Sequence, residues 1–192
     1  MTLPNKITVV RFILTFVVVM FLLIQNVPGR FTWAAILFVI AAITDLVDGA
    51  IARRTNTTTG LGAFMDPLAD KLLVLLTFVI LMTMSLYPLW LFVFMLFRDL
   101  LNDAYRNFAA SQRIMLKANV SSKIKTILQM LSLSLAILVL VFRHEYIGVI
   151  SGASVDLLLQ VANLFMLIAL LIGLIGTIQF ITKHSRIISV NE

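Results

Sequence analysis

The chain contains no cysteine, which excludes a disulfide framework, thiolate chemistry and any cysteine-based metal site. Histidine is nearly absent as well, with only His144 and His184. Charge is the next scarcity. Only 12% of the residues are Asp, Glu, Lys or Arg, against about a quarter in a soluble globular domain. A disordered segment or a nucleic-acid-binding arm needs the polarity that is missing here. Four prolines and eight glycines interrupt 192 residues, so long helices are permitted. What fills the chain is apolar: 61% is hydrophobic, above the usual 45–50% or so. The net charge of +6 falls beside apolar runs rather than along a basic stripe. That pattern points to a membrane surface and to no nucleic-acid partner.

A helix crosses the hydrocarbon with about 20 mostly apolar residues. Six segments qualify: 7–25, 31–53, 61–85, 88–110, 122–142 and 155–183. The first is too long in its apolar part, and lacks the small-residue site, to be a cleaved signal. Breaks at Val27-Pro28-Gly29, Tyr87-Pro88, and Gly148 through Gly152 fall where the chain should turn. The expectation is all-α: a polytopic membrane protein, one domain over 1–192, folded as a bundle of six transmembrane helices. With both termini in the cytoplasm, the outer side holds only Arg30 and Arg143 of the 15 Lys and Arg residues. The positive-inside rule favours that orientation.

Four carboxylates, Asp45, Asp48, Asp66 and Asp70, interrupt the second and third spans. An ionised Asp at the bilayer centre costs about 2.5–3.5 kcal/mol, so four independent ones would cost roughly 10 kcal/mol. They must face inward and be neutralised. Asp45 and Asp48 are three apart and share a helix face; Asp66 and Asp70 are four apart and share another. A short loop, 54–59, joins the two spans and would bring these faces together near the cytoplasmic end. One resolution is interhelical salt bridges with Arg53 or Lys71. The other, which four converging carboxylates favour, is a pair of hard divalent cations with oxygen ligands, such as Mg²⁺. Two-metal sites of that kind commonly clamp a phosphoryl group. Gly49, Ala52 and Gly62 supply small residues beside the acids, for close ligand approach or for helix packing. Arg53 offers a planar fork to a phosphate, or snorkels to the surface.

Taken together, Asp45-x-x-Asp48-Gly49-x-x-Ala52-Arg53, eight residues, Gly62, three residues, Asp66, three residues and Asp70 resembles the signature of the CDP-alcohol phosphotransferase family. Every motif position is filled at its spacing. The resemblance implies a six-helix membrane enzyme, a homodimer in the cell membrane with a cytoplasmic active site, using two divalent cations, Mg²⁺ or Mn²⁺. It implies that Asp45, Asp48 and Asp66 hold one ion, that Asp45, Asp66 and Asp70 approach the other, and that Asp70 is the catalytic base. Gly49, Arg53 and Thr59 are the positions expected to contact a CDP-lipid, with Ala52 and Gly62 beside them.

The acceptor is read from three further stretches. Leu3-Pro4-Asn5-Lys6-Ile7-Thr8-Val9-Val10-Arg11 is similar to the amino-terminal stretch of family members that make phosphatidylglycerol phosphate, adding Asn5, Thr8 and Arg11 to the CDP-lipid positions. Ser122-Lys123-Ile124-Lys125-Thr126 with Gln129 resembles the Gly-Lys-x-Lys-Thr-x-x-Gln element of the same members, with Ser122 in place of Gly. Arg98, Arg106, Lys123 and Lys125 would suit an acceptor that itself carries a phosphate. The positive-inside rule also places such cations here, and Asp99 or Asp103 is available to pair with Arg98. The expected reaction moves the phosphatidyl group of CDP-diacylglycerol to glycerol 3-phosphate. Serine, inositol phosphate or phosphatidylglycerol as acceptor is the alternative within the family, and a cation transporter is the alternative outside it. Gly173 and Gly176 are read as helix-packing positions, and Trp33 and Trp90 as interface anchors.

Overall fold

Apolar runs interrupted so rarely fold as helices: six among the described residues, and no strand. The computed structural model describes residues 3–55, 60–111 and 120–183, with side chains at 9–44, 71–111, 121–179 and 181–182. Helix α1 spans Leu3–Leu23, α2 Arg30–Thr55, α3 Gly60–Thr83, α4 Leu89–Ser111, α5 Val120–His144 and α6 Gly152–Lys183. Each expected span coincides with one helix, its ends displaced by four residues or fewer.

The turns follow from local chemistry. Between α1 and α2, Gly29 takes φ +71°, a region glycine enters at little cost. Helix α3 ends in a Schellman motif. The Leu86 N–H donates to the Leu81 carbonyl at 3.1 Å, and the Ser85 N–H to the Met82 carbonyl at 2.9 Å. Ser85 itself sits at φ +60°, where glycine is usual and a Cβ costs about 1 kcal/mol or more. At the start of α6, Ser151 Oγ accepts the Ser154 N–H at 3.2 Å, an ordinary N-cap.

Another element supplies the cap of α2. Glu145, just beyond α5, accepts the Phe31 N–H at 2.6 Å, the Thr32 N–H at 3.0 Å and the Thr32 hydroxyl at 2.5 Å. A carboxylate there satisfies N–H groups that have no partner within the helix and complements the positive end of its dipole. The start of α2 is thereby fastened to the end of α5.

Helices α5 and α6 pack along one another, α1 lies against α2 and α3, α2 and α3 reach α5, and α4 touches α3 and α6. Every helix contributes a fully buried side chain to one core, among them Leu22, Phe38, Phe78, Met95, Ile137 and Met166. Outward faces are equally apolar: Phe16, Ile43, Phe97, Leu157 and Ile178 are each more than half exposed. An apolar surface on this scale belongs against lipid or a partner, not water. Ser121–His144 of α5 and Gly152–Gln179 of α6 are each long and apolar enough to cross a membrane.

The two ends of the bundle differ. Beyond α3, Tyr87 is buried; its hydroxyl lies 2.7 Å from the Ser132 hydroxyl and 2.9 Å from the Ser132 carbonyl. The Ser132 hydroxyl donates to the Ala162 carbonyl at 2.6 Å, and Asn163 Nδ2 donates to the Leu86 carbonyl at 3.0 Å. Trp33 and Trp90, in the first turns of α2 and α4, are half exposed on this side. At the opposite side charged residues line a cavity.

Candidate functional site

A cavity of about 270 Å³ opens where the middle of α3 meets the middle and C-terminal part of α4 and the N-terminal half of α5. Helical periodicity explains its lining. From α4 come Arg98, Asp99, Asn102, Asp103 and Arg106, and from α5 Ser122, Lys125, Thr126 and Gln129. Both sets recur at three and four residues, so each is one polar stripe on an otherwise apolar helix. Helix α3 adds Lys71, Val74 and Leu75.

Arg98 is only 3% exposed, and its guanidinium is held on two edges. Nε donates to the Gly173 carbonyl of α6 at 2.9 Å, and Nη1 donates to Asp99 Oδ1 at 2.7 Å. Buried Lys125 donates from Nζ to the same carboxylate, at 2.7 Å to Oδ1 and 3.0 Å to Oδ2. Lys71 pairs with Asp103. Charges removed from water are tolerable only when paired and hydrogen-bonded, and Asp99 does this for two cations at once. The lining carries Lys71, Arg98, Arg106 and Lys125 against Asp99 and Asp103. Within the Arg98–Asp99–Lys125 cluster one carboxylate faces two cations, so one positive charge remains in excess, and an anion is what that excess can accept.

Of the cations expected around an acceptor phosphate, the structure brings Arg98, Arg106 and Lys125 into this cavity. Lys123 is exposed and does not line it. Lys71, available in the sequence as a partner for the aspartates, reaches across to α4 instead. Arg11 is buried in α1. Asn5 and Thr8 lie on α1, Asp45, Asp48, Gly49, Ala52 and Arg53 on α2, and Gly62, Asp66 and Asp70 on α3; their side chains lie outside the described residues. Thr59 lies outside them altogether. Chain direction still assigns an end to these positions. Helix α2 starts at Glu145, so its C-terminal half, with 45 to 53, runs away from that end. On α3, Asp70 immediately precedes Lys71, the first cavity residue, and stands one turn before Val74.

Two features went unread in the sequence. Asp99 was visible as a possible partner of Arg98, but its second hold on Lys125 spans 26 positions. Gly173 was read as a packing position, whereas a Cβ there would meet Arg98 and Lys125 side chains rather than a helix backbone. A glycine inside an apolar span signals close approach without revealing what approaches.

Comparison with known proteins agrees with this geometry. A family model described as CDP-alcohol phosphatidyltransferase matches residues 1–175. A Bacillus subtilis protein named CDP-diacylglycerol–glycerol-3-phosphate 3-phosphatidyltransferase is 34% identical over 178 residues, covering 87% of this chain and 90% of its own. Proteins of the same name from Rickettsia typhi and Salmonella choleraesuis are 37% and 38% identical, covering 71% and 68% of this chain and 76% and 74% of their own. With a polar cavity beside the aspartate-bearing end of α3 and a family match over nearly its whole length, the chain belongs to the CDP-alcohol phosphatidyltransferase family.

Proposed function

We infer that this chain transfers the phosphatidyl group of CDP-diacylglycerol to glycerol 3-phosphate, releasing CMP and forming phosphatidylglycerol phosphate. The observation that carries the acceptor is the buried Arg98–Asp99–Lys125 cluster lining the cavity, in which two cations share one carboxylate and leave one positive charge in excess. A phosphorylated alcohol matches that excess, whereas serine brings no phosphate to it. The relatives' names state the same pair of substrates for those proteins.

The donor set fits a divalent cation. Four carboxylates stand on consecutive helices at three- and four-residue spacings, in a chain without cysteine, which is an oxygen-only set suited to Mg²⁺ or Mn²⁺. Asp45, Asp48, Asp66 and Asp70 would hold two such ions, which when bound would offset charge developing on the pyrophosphate as CMP leaves. The protein's own groups do the rest. Arg98, Arg106 and Lys125 hold the acceptor phosphate and aim its free hydroxyl at the donor. Asp70 takes the hydroxyl proton as the oxygen bonds to the phosphorus bearing the diacylglycerol. The phosphorus–oxygen bond to CMP breaks in the same displacement. Asn5, Thr8, Arg11, Gly49, Ala52, Arg53, Thr59 and Gly62 line the proposed path of the CDP-lipid.

The proposed setting is the cell membrane, with six spans, both termini and the site on the cytoplasmic side, one domain over the whole chain, and a homodimer. The apolar outer faces and the distribution of Lys and Arg support it. Purified Asp70→Asn should keep the helical fold and the melting temperature while losing CMP release, and a chelator should abolish release by the unmodified chain. Near-normal turnover of Asp70→Asn would remove that residue from the role of base.

A further inference from the structure

Deepening the acceptor reading above, on which it rests, we propose that Gly173 of α6 is a positioning residue for the acceptor phosphate, acting through Arg98. Planar recognition of a phosphate requires the guanidinium to be fixed in plane and orientation. Two hydrogen bonds fix it here, Nε to the Gly173 carbonyl at 2.9 Å and Nη1 to Asp99 at 2.7 Å. Neither uses Nη2. The same carbonyl also accepts the Thr177 hydroxyl at 3.0 Å, so it is a fixed acceptor on a helix whose position does not depend on Arg98.

The absence of a side chain at 173 is what admits the fork. A Cβ there would stand 3.0 Å from Arg98 Nε, 3.1 Å from Arg98 Cζ and 3.3 Å from Lys125 Cδ. All three are side-chain atoms of the two cavity cations, so a methyl group would be relieved by moving those cations and not by moving a helix. Gly176 differs. A Cβ there would meet Ser121 Oγ at 2.7 Å and Ser121 Cβ at 3.0 Å, which is close packing of α6 against α5. Two glycines one turn apart on one helix therefore do separate jobs.

The test uses the purified full chain in detergent with CDP-diacylglycerol, Mg²⁺ and varied glycerol 3-phosphate. Gly173→Ala should raise KM for glycerol 3-phosphate about tenfold, since small misplacements of a binding group cost that much or more. KM for CDP-diacylglycerol should stay within about twofold, as expected when only acceptor binding is altered. Its melting temperature should fall less than that of Gly176→Ala, because the helix-forming advantage of alanine offsets part of the cost of displacing the two cations. Gly176→Ala should do the reverse, lowering the melting temperature further while leaving the acceptor KM alone. Arg98→Ala should raise the acceptor KM at least as far, and adding Gly173→Ala to it should change nothing more, because the glycine acts through the arginine. Arg98→Lys keeps the charge without the Nε–H donor and should reproduce the Gly173→Ala effect even if that variant accumulates poorly.

An unchanged acceptor KM in Gly173→Ala or Arg98→Lys, with Arg98→Ala raised, would overturn the positioning role and leave the acceptor site standing. So would additive effects in the double variant, or an equal KM rise in Gly176→Ala. An unchanged acceptor KM in Arg98→Ala would overturn the acceptor site itself.

Discussion

Arg98 and Lys125 are cations nearly removed from solvent, and Asp99 makes their burial tolerable by accepting hydrogen bonds from both. A carboxylate shared between two cations leaves them short of full neutralisation, which is the condition for binding an anion rather than merely stabilising a fold. Lys123 stands two positions from Lys125, about 200° around an α-helix, and is exposed. Replacing Lys125 by Met should therefore cost an interaction of about 1.5–3 kcal/mol with a charged acceptor, or roughly 10- to 100-fold in its KM. Lys123→Met should have the smaller effect, and steady-state kinetics with glycerol 3-phosphate measures both. Comparable losses in the two variants would place the acceptor elsewhere on α5. At this scale the sequence was legible where chemistry breaks a pattern: acids in apolar spans stand out because they are costly there. It did not separate Lys123 from Lys125, because a membrane's inner face attracts lysine on any side of a helix. Nor did it disclose that Arg98 leans on Gly173, a contact across 75 positions.

Helices were the most legible elements, because a run of about 20 apolar residues has few alternatives once backbone polar groups must be satisfied internally. What fastens one helix to the next was not legible. Glu145 caps α2 from more than 110 positions away, and the Tyr87 hydroxyl joins the α3–α4 turn to α5. Burial raises the Tyr87 phenol above its ordinary value, against the opposing effect of the Ser132 hydrogen bond. The folded state therefore favours neutral Tyr87. The stability this contributes is fully present below about pH 10, the unfolded value, and is lost as pH rises through the higher folded value. Tyr87→Phe should cost about 1 kcal/mol at neutral pH through the lost hydrogen bond. The gap in melting temperature between the two proteins should hold steady to about pH 9 and narrow above about pH 10. A gap that widened with alkali would contradict the buried neutral phenol.

Taken whole, the molecule has two unlike ends joined by an apolar shaft. Tyr87, Glu145 and the two tryptophans stand toward one end, while the charged stripes of α4 and α5 meet at the other. The six-helix plan was foreseeable from hydropathy alone, whereas the cavity was not, since its lining comes from three helices, α3, α4 and α5, with two connections between them. In the proposed reading, a donor lipid whose chains stay in the bilayer and a water-soluble acceptor meet at this end, where the positive charge of the Arg98–Asp99–Lys125 cluster would select the acceptor. The most direct measurement supplies the purified chain with CDP-diacylglycerol, Mg²⁺ and one acceptor at a time, and follows CMP release. Release should be strong with glycerol 3-phosphate and weak with serine, inositol phosphate or phosphatidylglycerol. Equal release with serine would contradict the phosphate-selective cavity, and no release with any acceptor would contradict the proposed transfer altogether.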